Sequence, residues 1–314
     1  MKKEKLMQPC IEMKSVSKTY RQAARPAVEG VSIQISPGDK VGLIGANGSG
    51  KTTLMRLLLN FIIPDSGEVY ILGSSDLEKA RESIGYVPEH QEGMENFSPR
   101  ELLEFAAQMH GFTLAEKAGR IDELLAFANL SEVADELLAG FSKGMIQRVQ
   151  ICIALIHDPP ILLLDEPMSG LDPGGQKDVR DIILRLKELT MIYASHQLSE
   201  IERFCNRVIF IHDGHILHQS GLSEIAAEVF TLELTRPALE VLPQFPGLQP
   251  EISEGPGERV EVRLTATADE IQNLIAALNV REIKILRLRS RGILEDLYHR
   301  YVTQARKPGD APHG

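Results

Sequence analysis

Gly45-Ala46-Asn47-Gly48-Ser49-Gly50-Lys51-Thr52-Thr53 reads G-x-x-x-x-G-K-T, with an apolar stretch before it and helical spacing after it. Its glycines let the backbone curl so that successive N–H groups point inward at an anion, and a helix opening at Lys51 adds its positive dipole end. Lys51 would reach the β/γ-phosphates of a nucleotide and Thr52 a Mg²⁺. The context agrees on both sides: Val41, Leu43 and Ile44 make a short buried strand, and Leu54, Leu57, Leu58 and Phe61 recur at helical spacing. Gly45 to Thr53 is therefore a phosphate loop, which implies a nucleotide without saying which machine uses it.

The totals bound the rest. The chain has 314 residues, 43% hydrophobic and 25% charged, enough for about two domains and a substantial core. A formal net charge of −10 argues against nucleic acid as a partner, because that interface needs clustered Lys and Arg to replace counterions. Cys10, Cys152 and Cys205 show no C-x-x-C spacing, so they read as reduced thiols rather than a disulfide framework or a zinc site. No apolar run reaches the length of a membrane span, and Met1-Lys2-Lys3-Glu4-Lys5 does not begin a signal peptide. If the protein works at a membrane, another chain is expected to cross it.

Along the chain, Ile11–Val16 and Val31–Ile35 read as strands joined by a loop from Lys18 to Glu29 that carries Tyr20, a packing aromatic or a platform for a base. Pro64-Asp65-Ser66-Gly67 reads as a turn and Glu68–Leu72 as a strand. From Ser98 to about His157 the pattern turns helical. Ser98-Pro99-Arg100-Glu101 is a capping box with proline at the first helical position, and Thr113 to Glu116 is a second box. Ile161–Leu164, Met191–Ala194 and Val208–Ile211 then resume the sheet, the first too apolar for an edge strand. Asp213-Gly214 makes a hairpin turn flanked by His212, His215 and His218, solvated hairpin histidines or a metal cluster. Strands separated by helices, with a helical insert, imply an α/β fold with a mostly parallel sheet. The character changes around Val229, and Arg236–Gly257, rich in Pro and Gly, marks a boundary. Residues 229–306 read as a small α+β domain: Val260, Val262 and Leu264 alternate, Thr267 and Glu270 cap a helix, and Ile293, Leu294, Leu297 and Tyr301 share a last one. Residues 307–314 read as a flexible tail.

The apolar strand from Ile161 ends in two adjacent carboxylates, Asp165 and Glu166. Neighbouring side chains on a strand point to opposite sides, so one can hold Mg²⁺ while the other faces the γ-phosphate and activates water. Beside them stands Phe141-Ser142-Lys143-Gly144-Met145 at a helix start, a possible second anion site. A second such site in a chain whose first site already has a loop suggests service to a second copy.

Together these residues resemble the nucleotide-binding subunit of an ATP-binding-cassette (ABC) transporter. The phosphate loop, Tyr-Val-Pro-Glu at Tyr86–Glu89, FSKGM at Phe141–Met145, LLLDEP at Leu162–Pro167, SGLDP at Ser169–Pro173 and Ser195-His196 follow in the family's order, covering about residues 10–220. The resemblance implies a P-loop NTPase core with an antiparallel β edge and a helical subdomain at about 97–158 inside an ATPase domain of residues 1–228. It implies head-to-tail pairing, with ATP clamped between Gly45, Asn47, Gly48, Ser49, Gly50, Lys51, Thr52 and Thr53 of one copy and Ser142 and Gly144 of the other. Glu166 would be the general base, His196 the γ-phosphate sensor, Asp165 and Thr52 the Mg²⁺ partners, Asp172 a dimer contact and Tyr20 the adenine platform.

Two departures refine the resemblance. Glu89 stands where the family has a glutamine that touches Mg²⁺, and Lys143 and Met145 stand where many members have Gly and Gln. Both, with Leu294-Glu295-Asp296-Leu297-Tyr298 near the end, resemble the subclass that pumps drugs, lipids, polymers or cofactor-related cargo outward. The resemblance thus implies an ATPase motor, a homodimer because both half-sites are intact, docked on a separate transmembrane permease at the cytoplasmic face of the membrane. Soluble family members in DNA repair carry a long coiled coil and ribosomal ones usually two cassettes, and neither feature is present. The C-terminal domain is expected to hold the dimer together or to regulate it.

Overall fold

The computed structural model describes residues 8–21, 23–89, 93–222, 228–255, 257, 259–291 and 293–305. The chain separates into two compact units, residues 1–219 and 220–314.

The first unit begins with three antiparallel strands. β1 (Ile11–Lys18) lies between β2 (Val28–Ile35) and β4 (Ser66–Ile71). Alternation puts Ile11 and Met13 opposite Ile35 and Ile33 on one side and Ile71 and Val69 on the other. All six side chains are buried. The second sheet has the order β5-β6-β7-β3-β8-β9, formed by β3 (Lys40–Ile44), β5 (Ile84–Val87), β6 (Ile161–Asp165), β7 (Thr190–Ser195), β8 (Arg207–His212) and β9 (His215–Gly221). The pairs from β5 through β8 are parallel. Every residue of β6 and β7 is buried, as expected of strands covered on both faces. α1 (Lys51–Leu58) contributes Leu54, Leu57 and Leu58 to one core with Ile11, Ile35, Val41 and Ile192, which joins the two sheets.

α2 (Leu77–Ala80) precedes β5; the helical insert then holds α3 (Pro99–Met109), α4 (Leu114–Phe127) and α5 (Lys143–Leu155). Both capping boxes form: the Ser98 and Thr113 hydroxyls accept the N–H groups of Glu101 and Glu116, whose carboxylates accept in return. Ile121, Leu124, Leu125 and Ala128 are buried along one side of α4 and its end. α5 packs on α3 and α4 and also on β5 and α6 (Pro173–Arg185), so it ties the insert to the parallel sheet. α7 (Leu198–Phe204) packs against β7 and β3.

The second unit is a four-stranded antiparallel sheet of order β11-β12-β10-β13, with β10 (Glu228–Thr235), β11 (Glu251–Glu254), β12 (Arg259–Ala266) and β13 (Ile285–Arg291). α8 (Ala268–Val280) packs on β12 and α9 (Ile293–Ala305) on β10. β12 alternates exposed and buried residues without a break, and its Val260, Val262 and Leu264 meet Ile271, Leu274 and Leu278 of α8 in the core.

Several local expectations change. α1 ends at Leu58, so Phe61 lies beyond it and is 58% exposed. β1 and β2 extend to Lys18 and from Val28, shortening the loop between them, and Ser66 and Gly67 belong to β4. Val229 lies inside β10, and the boundary expected at Arg236–Gly257 falls earlier, between Gln219 and Ser220. Pro237, Pro243 and Pro246 start short 3₁₀ turns, and Ala238, Val241, Leu242 and Leu248 are buried in the second core. The proposed tail, 307–314, lies outside the described residues.

Ser98 satisfies the first turn of α3 and thereby fixes where the insert leaves the sheet. Ser98→Ala is expected to lower stability by about 1 kcal/mol, checked by urea denaturation.

Candidate functional site

The phosphate loop leaves β3 at Ile44 and enters α1 at Lys51. Gly48 and Gly50 both adopt left-handed backbone, with φ of 79° and 114°. A Cβ at Gly50 would also lie 2.6 Å from the Ala27 carbonyl oxygen, so only glycine fits. The Asp213-Gly214 turn braces the loop from below: the Gly214 N–H donates to the Ser49 carbonyl at 3.0 Å, while the Gly214 carbonyl accepts from the Glu29 N–H at 2.9 Å.

Three adjacent strands end together. Ile44 of β3 pairs with Ser195 of β7, and Ala194 of β7 pairs with Asp165 of β6. The sheet therefore sets the phosphate loop, the Asp165–Glu166 pair and His196 side by side at the carboxyl ends of the strands, where open α/β sheets bind ligands. Thr52 donates its hydroxyl proton to Asp165 Oδ2 at 3.0 Å. Lys51 Nζ, with its side chain buried, donates to the Gly45 carbonyl at 2.8 Å and stands 3.3 Å from Glu166 Oε1. His196 Nδ1 meets Glu166 Oε2 at 2.9 Å, with half of the His196 side chain exposed. Glu166 itself has left-handed backbone, φ 47°, and its N–H donates to the Ala194 carbonyl. This turn swings its carboxylate toward Lys51 and His196 at a local conformational cost typical of functional positions.

Lys51, Thr52, Thr53, Asn47, Gly48, Glu89, Asp165 and Glu166 line one cleft of about 200 Å³. Tyr20 stands at its margin, its hydroxyl 3.5 Å from Thr53 Oγ1 and its ring partly exposed. A roomier cavity of about 410 Å³, between Arg120, Phe127, Leu155 and Leu186, offers no phosphate-binding loop, so size alone would misplace the site.

Burial pushes the Asp165 carboxyl above the usual range; the nearby Glu89 and Glu166 add to that, and the Thr52 hydrogen bond and Lys51 oppose it. Burial also pushes the Tyr86 hydroxyl up to about 12. Asp165 Oδ1 and Glu166 Oε1 are buried with no hydrogen-bond partner. Glu166 Oε1 has only its ion pair with Lys51, and carboxylate oxygens so sparsely partnered fit a cation held partly by protein and partly by phosphate. Among the described residues no three His, Cys, Asp or Glu side chains gather for a metal. That suits Mg²⁺, which takes one or two carboxylates plus substrate oxygens rather than a closed protein cage. His212 and His215 instead face Asp213 and Glu29, at 3.8 and 3.5 Å.

Ser142, Gly144 and Asp172 are not among the cleft's lining residues. Ser142 caps α5 and is exposed, its hydroxyl accepting the Met145 N–H at 3.2 Å. Asp172 caps α6 through the Gly175 N–H, also at 3.2 Å. The two helix starts touch where Gly144 packs on Gly175; a Cβ at Gly144 would lie 2.8 Å from Gly175 Cα. The motifs thus form two separate surfaces on one chain. Sequence reasoning missed three features of the first: the Gly214 brace, the Lys51–Glu166 pair, and the contacts of Ser195 and Tyr193 with Glu200. Glu200 follows His196 by four positions, a spacing with no signal of its own.

Fold and cleft define a nucleotide-binding ATPase of the phosphate-loop class. The family model described as "ABC transporter" matches residues 28–169. The uncharacterized ABC transporter ATP-binding protein YxlF of Bacillus subtilis (strain 168) is 32% identical over 255 residues, covering 80% of this chain and 85% of that one. The Nod factor export ATP-binding protein I of Paraburkholderia xenovorans (strain LB400) is 33% identical over 69% of this chain and 72% of its own. Among solved structures, the dimeric, post-hydrolysis state of the ATP-binding cassette MJ0796 bound to ADP and Pi superposes with a TM-score of 0.61 at 28% identity, covering 68% of this chain and 98% of that one. The chain belongs to the ABC transporter family, as an ATP-binding subunit.

Because the folded state favours a proton on Asp165 that the unfolded chain releases, its contribution to stability falls as pH rises through the carboxylate range. Asp165→Asn keeps an acceptor for Thr52 and is expected to raise the melting temperature of the nucleotide-free protein at neutral pH. It should also flatten the fall in stability that begins above about pH 4, the ordinary aspartate value. Thermal unfolding followed across that fall checks both.

Proposed function

We propose that this chain is the ATP-hydrolysing motor of an exporter, working as a pair of copies on a separate transmembrane permease from the inner face of the membrane. The observation that carries the pairing is the division of the site. One chain supplies a cleft of about 200 Å³, smaller than the ~300 Å³ at the low end of ligand sites, while Ser142, Gly144 and Asp172 stand at a different surface. A head-to-tail pair would close each cleft with the other copy's α5 start, whose N–H groups and dipole suit phosphate. The dimeric MJ0796 cassette supports this arrangement. Export is supported by the name of the Nod factor relative and by Lys143, Met145 and Glu89. Among the described residues no helix is long and apolar enough to cross a membrane, which suits a motor whose pore belongs to another chain. We assign the second unit an accessory role.

In this reading the backbone N–H groups of Gly48 to Thr53 cradle the phosphates and Tyr20 presents its ring to the adenine. Lys51 exchanges the Gly45 carbonyl and Glu166 for phosphate oxygens. That exchange frees Glu166 Oε1 to take the proton of the attacking water, while His196, held on Oε2, faces the γ-phosphate. Thr52 and Asp165, with Glu89 across the cleft, would hold Mg²⁺, which neutralises charge on the β- and γ-phosphates when bound.

Glu166→Gln is expected to bind ATP normally, lose turnover by about a hundredfold or more, and elute as an ATP-dependent dimer in gel filtration. Full turnover in that variant would overturn the assignment. A membrane pull-down of the same variant with ATP is expected to bring a polytopic membrane protein; ribosomes or repair proteins alone would overturn the exporter reading. Mixing Lys51→Ala with Ser142→Arg protein should restore turnover that neither has alone, because the mixed pair holds one intact composite site.

A further inference from the structure

We infer that Glu200 is a positioning residue for ATP hydrolysis, acting through His196; the inference rests on the reading of His196 given above. His196 follows directly on the last residue of β7 and carries an exposed ring. Something other than packing must hold it against Glu166. The structure shows a chain of hydrogen bonds that does so from behind. One oxygen of Glu200, Oε2, accepts the Tyr193 hydroxyl at 2.9 Å and the Ser195 hydroxyl at 2.8 Å. Tyr193 and Ser195 sit at alternate positions of β7, hence on one side of the strand, and both are fully buried. The Ser195 oxygen in turn accepts the Gln197 N–H at 3.0 Å. These last two bonds bracket His196: the residue before it is tied to Glu200, and the residue after it is tied back to the residue before.

The supports of Glu200 are themselves rigid. It stands in the first turn of α7, where the helix dipole favours a negative side chain. Tyr193 packs against Phe204 at the other end of that helix, with ring centroids 5.2 Å apart. Burial raises the Glu200 carboxyl, and its two hydroxyl donors oppose that shift. What the site needs from Glu200 is an oxygen that accepts two protons in a fixed place, not a full charge. An amide carbonyl meets that need and a methyl group does not.

The test uses the purified full-length chain with ATP and Mg²⁺, with melting temperature and ATP binding measured on every variant. Glu200→Ala is expected to lower kcat about tenfold or more, since small misplacements at a reacting centre are costly, with KM little changed. Glu200→Gln should keep kcat close to that of the unaltered protein. In the His196→Ala background, Glu200→Ala should cost nothing further, because its effect passes through the imidazole. Ser195→Ala, which breaks the chain at its other end, should lower kcat likewise and carries the test should Glu200→Ala not fold. The inference is overturned by unaltered turnover in Glu200→Ala and Ser195→Ala, by Glu200→Gln as slow as Glu200→Ala, or by losses that multiply in the double variant. Unaltered turnover in His196→Ala alone would instead overturn the role given to His196.

Discussion

The buried pairing of Lys51 with Glu166 is the interaction on which the rest of the site depends. Both side chains are more than nine-tenths withdrawn from water, and removing either partner would strand the other charge in a poorly solvated place. Such a pair is a weak source of stability, because desolvation offsets most of its Coulomb gain. It stays together here because other contacts share the charge: the Gly45 carbonyl takes a Lys51 proton, and His196 meets the second Glu166 oxygen. Around it the fold accepts further costs. A carboxyl at Asp165 is buried beside two others, one of its oxygens has no hydrogen-bond partner, and Glu166 is held in left-handed backbone. Costs of three kinds gathered around one buried ion pair mark a site shaped for something other than folding.

Topology explains why the costs fall together. β3, β7 and β6 are neighbours although they lie far apart in the chain. Parallel pairing brings their carboxyl ends to one edge. Each end then donates a different function: a glycine loop that can curl, a pair of adjacent carboxylates, and a histidine. The all-buried strands beneath them fix the spacing, since a slip of one residue in β6 would turn Asp165 to the wrong side.

What was legible in the sequence is what local chemistry dictates. G-x-x-x-x-G-K-T, the two capping boxes and the Asp213-Gly214 turn each announce themselves within a few residues, and each appears as read. The apolar strand instead ends at Asp165, and Glu166 is aimed by left-handed backbone beyond it rather than by strand alternation. What escaped depends on partners distant in sequence. Gly214 reads as a turn glycine, and nothing nearby says that its N–H supports Ser49. Glu200 reads as one more helix acid until β7 places Tyr193 and Ser195 beneath it. Arg236–Gly257 misled for a related reason: its Pro and Gly suggest a boundary, yet Pro237, Pro243 and Pro246 start turns in a segment that buries Val241, Leu242 and Leu248. Phe61 continues the helical spacing of Leu54, Leu57 and Leu58, but the helix stops before it, and spacing alone cannot see a helix end that lacks a capping residue.

The second surface follows the same physics from the opposite side. Ser142 uses one of its two oxygen lone pairs to accept the Met145 N–H, a role that does not engage its hydroxyl proton, which can donate to an acceptor outside the chain. Gly144 and Gly175 let the starts of α5 and α6 approach until no side chain fits between them. This places two helix N-termini, each a partial positive charge, side by side at one exposed surface. No side chain at this surface lines the chain's own cleft, and a dipole pair of that kind gains most when it meets an anion rather than water. In the proposed pairing, a phosphate held by another copy's Gly45–Thr53 loop would supply that anion. Such pairing would also shield the sparsely partnered oxygens of Asp165 and Glu166 from bulk water, strengthening the electrostatics on which hydrolysis relies.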